Sequence, residues 1–170
     1  HPEVELEVTT GFTRDLLNSL GEEFDLVLAT QKAGDGRGEV LRREQTAWAC
    51  SDRVAFAIDE PLQLALLKAP NMFREWALEA LDEAGLRWRI LFSSSSIGAV
   101  EAMAASGVAL TVVKAGTARP GLQLLGAEHG LPVLPASEIA LHLAPGRTSA
   151  AMAALSAFLA EALSDGAPSY

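Results

Sequence analysis

One cysteine among 170 residues, Cys50, has no second thiol to pair with, so an internal disulfide is excluded. Its apolar, strand-like setting beside Trp48 and Ala49 predicts a buried thiol and not a reactive one. Histidine is almost as scarce, with His1, His129 and His142 making up the complement. No two of them stand at metal-ligand spacing, and the chain has neither a Cys-x-x-Cys nor a Gly-x-Ser-x-Gly elbow. No metal and no cofactor is expected. Positive charge is short as well: 13 Lys and Arg against 22 Asp and Glu give a net charge of −9 without a basic run. That balance argues against direct nucleic-acid binding by this segment. There is no apolar run long enough to span a bilayer and no amino-terminal signal peptide. The chain opens on His1-Pro2 and not on methionine, as an excised fragment would.

What is present is a chain of 49% hydrophobic residues, enough to build a core as one domain or two small lobes. Val4, Leu6 and Val8 alternate with glutamates, which predicts a strand with one buried face. Phe12, Leu16, Leu17 and Leu20 recur at helical spacing up to Gly21, and Phe24 to Ala29 reads as a strand covered on both faces. Strand, helix, strand suggests parallel pairing. Gly34, Gly36 and Gly38 mark a flexible loop whose spacing resembles a dinucleotide fingerprint. The third glycine comes one place early and no apolar helix follows, so the nucleotide reading is rejected. A strand centred on Thr46 to Cys50 precedes an exposed connection, Asp52 to Pro61, where a crossing between lobes would fall.

The next stretch is more regular. Leu62 to Leu67 is a strand; Phe73, Trp76, Ala77, Ala80, Leu81 and Ala84 trace one helical face between Asn71 as N-cap and Gly85 as stop. Arg87 to Phe92 leads into four serines, Ser93 to Ser96, then a short helix, Gly107 and a strand ending at Val113. At that turn, hydroxyls and unpaired backbone N–H groups converge on the positive end of a helix dipole, a place to hold a small polar or anionic ligand. The same serines also suit an N-cap and a solvated turn. Arg74 lies in the first turn of its helix, either as a solvated partner of Glu75 or Glu79 or as a carboxylate clamp. Leu122 to Leu125 is a short strand, and Glu138 to Leu143 a strand with Ile139, Leu141 and Leu143 on one face. A last helix after Thr148-Ser149 packs Met152, Leu155, Phe158, Leu159 and Leu163 inward, before a polar tail.

The opening His-Pro-Glu-Val-Glu-Leu-Glu-Val, the turn at Gly11 and the Asp15-Leu16-Leu17 helix resemble the effector-binding domain of LysR-type transcriptional regulators. So do Glu23-Phe24-Asp25-Leu26-Val27-Leu28, Phe73-Arg74-Glu75-Trp76-Ala77-Leu78 and the helix and strand from Val100 to Val113. The likeness covers nearly the whole chain. It departs from the family pattern where Ala109 replaces a second glycine after Gly107 and Lys114 stands at a usual proline.

The resemblance implies an α/β fold of two Rossmann-like lobes with type 2 periplasmic-binding-protein architecture. Lobe one would be 1–54 plus 135–170, lobe two 55–134, with the first strand and helix of lobe one missing along with the winged helix-turn-helix. It implies a small-molecule effector in the inter-lobe cleft, and the serine cluster, the two helix starts and Arg74 lean toward a small carboxylate. Ligand contacts carried onto this sequence are Thr9, Thr10, Gly11 and Phe12 in the first lobe. In the second they are Pro70, Asn71, Met72, Phe73 and Ser93, Ser94, Ser95, Ser96 and Ile97, beside Arg74 from the physical reading. It further implies a cytoplasmic, non-enzymatic sensor, dimeric through its effector domains and tetrameric in the full protein, touching DNA only through the absent domain and no membrane. The rivals are a solute-binding protein of the same fold and an α/β hydrolase. The latter would need a serine of the cluster, His129 or His142, and a carboxylate brought together.

Overall fold

A computed structural model of the chain describes residues 4–53, 58, 61–146 and 149–164. The crossing expected near 54–55, Thr148 and the polar tail past Ser164 lie outside those residues. Cα packing groups His1–Glu44 with Ala136–Tyr170 as unit one and Gln45–Pro135 as unit two.

Unit one contains α1 (Thr13–Asn18), β1 (Leu26–Lys32), β2 (Glu39–Glu44), β8 (Ser137–Leu143) and α4 (Ala150–Ser164). Its sheet runs β1-β8-β2, with β8 antiparallel to both neighbours, Gln31 opposite Glu138 and Leu28 opposite Leu141. Being central, β8 is buried on both faces from Ser137 to His142, and Leu143, expected inside, is exposed. The expected parallel unit at the amino end is not formed among the described residues. Residues 4–12 make no strand, and Val4, Leu6 and Val8 stand 48%, 66% and 75% exposed. Alternation marks which face a strand would bury, but a strand also needs a neighbouring edge to complete its hydrogen bonds, and β1 takes β8 instead. In α4 the stripe of Met152, Leu155, Leu159 and Leu163 is partly buried as expected, whereas Phe158 is 64% exposed.

The glycine-rich segment between β1 and β2 is tied down, not free. Gly34 N–H donates to Glu138 Oε2 at 3.1 Å, and Gln31 Nε2 donates both to Glu138 Oε1 at 3.0 Å and to Arg37 O at 2.9 Å. With the amide nitrogen of Gln31 so committed, its Oε1 must accept, which makes His142 Nε2, 3.0 Å away, an N–H donor. Glu138 is wholly buried, and the Gln31 and Gly34 donors hold its carboxyl below the usual range, with Arg43 3.6 Å away adding to the effect. His142 is pushed down by burial and secondarily by the Arg37 cation, with Asp35 opposing.

Both depressions have one sign. The unfolded chain binds more protons on acidification, so the stability these groups contribute is full above their unfolded values and is lost as pH falls through the lower folded ones. The urea midpoint of the chain should therefore drop first below about pH 6.5, through His142, and again below about pH 4.3, through Glu138. His142→Gln should flatten the first limb; an unchanged slope between pH 7 and 5 would refute this assignment.

Unit two contains β3 (Thr46–Ser51), β4 (Leu62–Leu67), α2 (Met72–Glu83), β5 (Trp88–Ser94), α3 (Ile97–Ala105), β6 (Thr111–Lys114) and β7 (Leu122–Leu125). β3 is the centre of a sheet ordered β6-β3-β7, antiparallel on both sides, which is why it packs with this unit and not with unit one. β4 and β5 are parallel, as the intervening helix requires, and Leu64 bridges to Leu110 on the approach to β6. Trp48, Leu64, Trp76, Leu81, Leu110 and Leu131 form the main core, and Trp48 Nε1 is satisfied by Pro132 O at 2.8 Å. Cys50 is buried there, as expected; burial pushes its thiol up, partly offset by Gln123 Nε2 at 3.4 Å. α2 ends at Gly85, φ 66°, with Leu86 N–H donating to Leu81 O and Gly85 N–H to Asp82 O, the double closure that a left-handed glycine allows.

Candidate functional site

The parallel strands β4 and β5 deliver α2 and α3 from the same end of the sheet, so the amino termini of both helices open beside each other. In open α/β sheets this carboxyl edge is where ligands sit, because unpaired N–H groups and helix dipoles face it. Asn71 caps α2, its Oδ1 accepting from Arg74 N–H at 3.1 Å. Asn71→Ala should cost about 1 kcal/mol of stability, read from the thermal unfolding of the chain; no change would deny the cap. Ser96 caps α3 by accepting from Ala99 N–H at 3.3 Å, and Ser94 Oγ accepts from Ser96 N–H at 3.1 Å. Two of the four serine hydroxyls are thus occupied with local backbone. Ser93 Oγ instead accepts from Arg74 Nη1 at 3.4 Å, and Ser95 is exposed.

Arg74 is the pivot. Its Nη1 also donates to Leu67 O at 3.1 Å, so one arm of the guanidinium bridges the ends of β4 and β5. Nε and Nη2 have no partner among the described residues, and neither Glu75 nor Glu79 pairs with it. Beside it lies a cavity of about 180 Å³. Leu66, Phe73, Ile97 and Val100 are among its apolar walls, and Asn71, Arg74, Glu101, Thr111, Lys114 and Thr117 supply polar groups. Phe73 is braced edge-on by Trp76, ring centres 5.4 Å apart.

Of the unit-two residues proposed from sequence, Asn71, Phe73, Arg74 and Ile97 line this cavity. Met72 packs against the core, and Pro70, preceded by a cis peptide bond, is exposed. Thr9, Thr10, Gly11 and Phe12 belong to unit one, in an exposed irregular segment ahead of α1, where Phe12 O accepts from Asp15 and Leu16 N–H. Sequence reasoning missed Glu101, Thr111, Lys114 and Thr117. Thr111 and Lys114 carried a signal, as polar residues in or ending an apolar strand. His129 Nδ1 lies 2.9 Å from Glu128 Oε1 in a loop and His142 belongs to unit one; neither lines the cavity. No helix among the described residues is long and apolar enough to cross a membrane.

Parallel strand ends, capped helix starts and a small, mostly apolar cavity with an arginine in its wall define a ligand-binding α/β domain. The family model described as LysR substrate binding domain matches residues 1–164, and the chain belongs to that family. It is 33% identical over 135 residues to the HTH-type transcriptional regulator PecT of Dickeya dadantii (strain 3937), covering 79% of this chain and 43% of PecT. The chain thus spans less than half the length of that curated relative. Among solved structures it is similar to full-length HypT of Salmonella typhimurium, a hypochlorite-specific LysR-type transcriptional regulator, with TM-score 0.74, 16% identity, and 92% and 58% coverage of the two chains. The regulatory domain of CcmR from Synechocystis PCC6803, in complex with 2-PG, gives TM-score 0.70, 12% identity, and 97% and 86% coverage. The fold is the α/β, periplasmic-binding-protein-like fold of LysR effector-binding domains.

Proposed function

We propose that this chain is the effector-sensing module of a LysR-type transcription regulator, and that a small carboxylate docks at the ends of β4 and β5 in unit two. The observation that carries this reading is Arg74, whose guanidinium is fixed by Leu67 O and Ser93 Oγ while Nε and Nη2 stay uncommitted beside the cavity. A planar fork held on one arm is preorganised for a bidentate carboxylate, and two helix amino termini add to the field. The CcmR regulatory domain is solved with 2-PG, which supports a small-ligand role at this fold. The unit-one candidates Thr9 to Phe12 rest on family resemblance alone.

In this reading, effector occupancy biases the conformation of a larger regulator and so its hold on DNA. The chain is acidic and spans under half of PecT, which supports DNA contact through another part of the protein. Effector domains pair as homodimers, with tetramers in the full regulator, in the cytoplasm and away from membranes. No bond is made or broken at the site. A thermal-shift screen of small carboxylates tests it: a hit should stabilise the native chain and fail to stabilise Arg74→Ala. A hit that stabilises both equally would sink the site, and turnover that disappears on replacing His129 or His142 would sink the non-enzymatic role.

A further inference from the structure

Thr111 opens β6 and forms part of the cavity wall; it is fully buried, and its Oγ1 has no hydrogen-bond partner among the described residues. An unpaired buried hydroxyl is destabilising, and valine would keep the β-branched shape a strand favours without it. Such a group in a ligand-facing wall is explained if it gains its partner when a ligand enters. Thr46 Oγ1 and Ser156 Oγ are unpartnered too, but neither residue lines the cavity.

We infer that Thr111 is a specificity-determining residue of this site, and that the cavity takes a small carboxylate that also carries a hydroxyl. This rests on the carboxylate reading above. Arg74 is half-buried at the strand ends and Thr111 wholly buried within the wall, with Leu66, Phe73 and Val100 supplying apolar surface. A ligand whose carboxylate is its sole polar group would satisfy Arg74 and leave Thr111 unpaired. A site built to hydrogen-bond a ligand hydroxyl rejects the analogue that lacks it, for that reason. The volume of about 180 Å³ exceeds the roughly 150 Å³ that holds a benzene ring, so a body of about six carbons fits.

The test is calorimetric titration of the 170-residue chain with matched probes, benzoate against 4-hydroxybenzoate and hexanoate against 6-hydroxyhexanoate. The hydroxylated member of at least one pair should bind about tenfold tighter or more. Thr111→Val should erase that preference and raise the unfolding midpoint of the free chain, Thr111→Ser should retain the preference, and Arg74→Ala should weaken both members alike. Arg74-dependent binding without a hydroxyl preference, or a preference surviving Thr111→Val, overturns the role of Thr111 and leaves the carboxylate reading standing. No binding by any probe, or binding indifferent to Arg74, overturns both. A lowered midpoint in Thr111→Val means the hydroxyl is satisfied within the fold, and also overturns the inference.

Discussion

Arg74→Ala should weaken the binding of a stabilising carboxylate by about 100-fold or more while leaving the unfolding transition of the free chain almost in place. The size follows from what is lost. Two charge-assisted bonds from Nε and Nη2, at about 1.5 kcal/mol each at the low end of the usual range, multiply to that factor. The small effect on the free chain follows from what the side chain does there. Its bonds to Leu67 O and Ser93 Oγ lie at the half-exposed rim, where water replaces them and the net loss is about 1 kcal/mol or less. Arg74→Lys should recover only part of the affinity, because an ammonium keeps the charge and loses the fork. Calorimetric titration of the three proteins decides the point, and a change under about fivefold in Arg74→Ala would remove Arg74 from the contact set.

Gly38→Ala should destabilise unit one by about 3 kcal/mol. Gly38 sits at φ 71°, and a Cβ there would lie 2.8 Å from Leu141 O and 2.8 Å from His142 Cε1. The left-handed conformation alone costs a side chain about 1–2 kcal/mol. The clash adds to it, because Leu141 O belongs to the central strand and the His142 ring is held by Gln31. Gly36 provides the control. At φ 74° it carries the same backbone cost, yet nothing lies within 4 Å of its added carbon. Urea titrations of the two variants should differ by the clash alone, and equal midpoints would show that the contact with β8 is not what Gly38 serves.

Unit two was largely legible in the sequence; in unit one α1, β1, β8 and α4 were legible as elements and their pairing was not, for a physical reason. From Leu62 to Ala105 the strands β4 and β5 are each followed by a helix, so hydrophobic period, Asn71 cap and Gly85 stop report structure over short stretches of chain. In unit one, β1 and β2 both pair with a strand roughly a hundred residues later, and no local pattern announces that partner. The Val4 to Val8 alternation was misleading for the same reason, since period two reveals a face but not an edge to join. The links from Gln31 to Glu138 and His142 were likewise out of reach, spanning 107 and 111 residues. At the site, Asn71 and Arg74 were readable because a helix start constrains chemistry locally. Glu101, Thr111 and Lys114 come from α3 and β6, and only the folded sheet brings them beside α2.

The burial of Cys50 gives the protein an internal clock for half of itself. It is the chain's sole sulfhydryl and lies in β3, within the core of unit two. A maleimide or disulfide reagent added to the native chain finds a protonated, covered sulfur, so its rate of modification measures how often that core opens and nothing about unit one. Labelling therefore separates the two halves of the molecule without any engineered probe: a lesion at Gly38 that leaves the labelling rate unchanged is confined to unit one, and a ligand that slows it has gripped unit two.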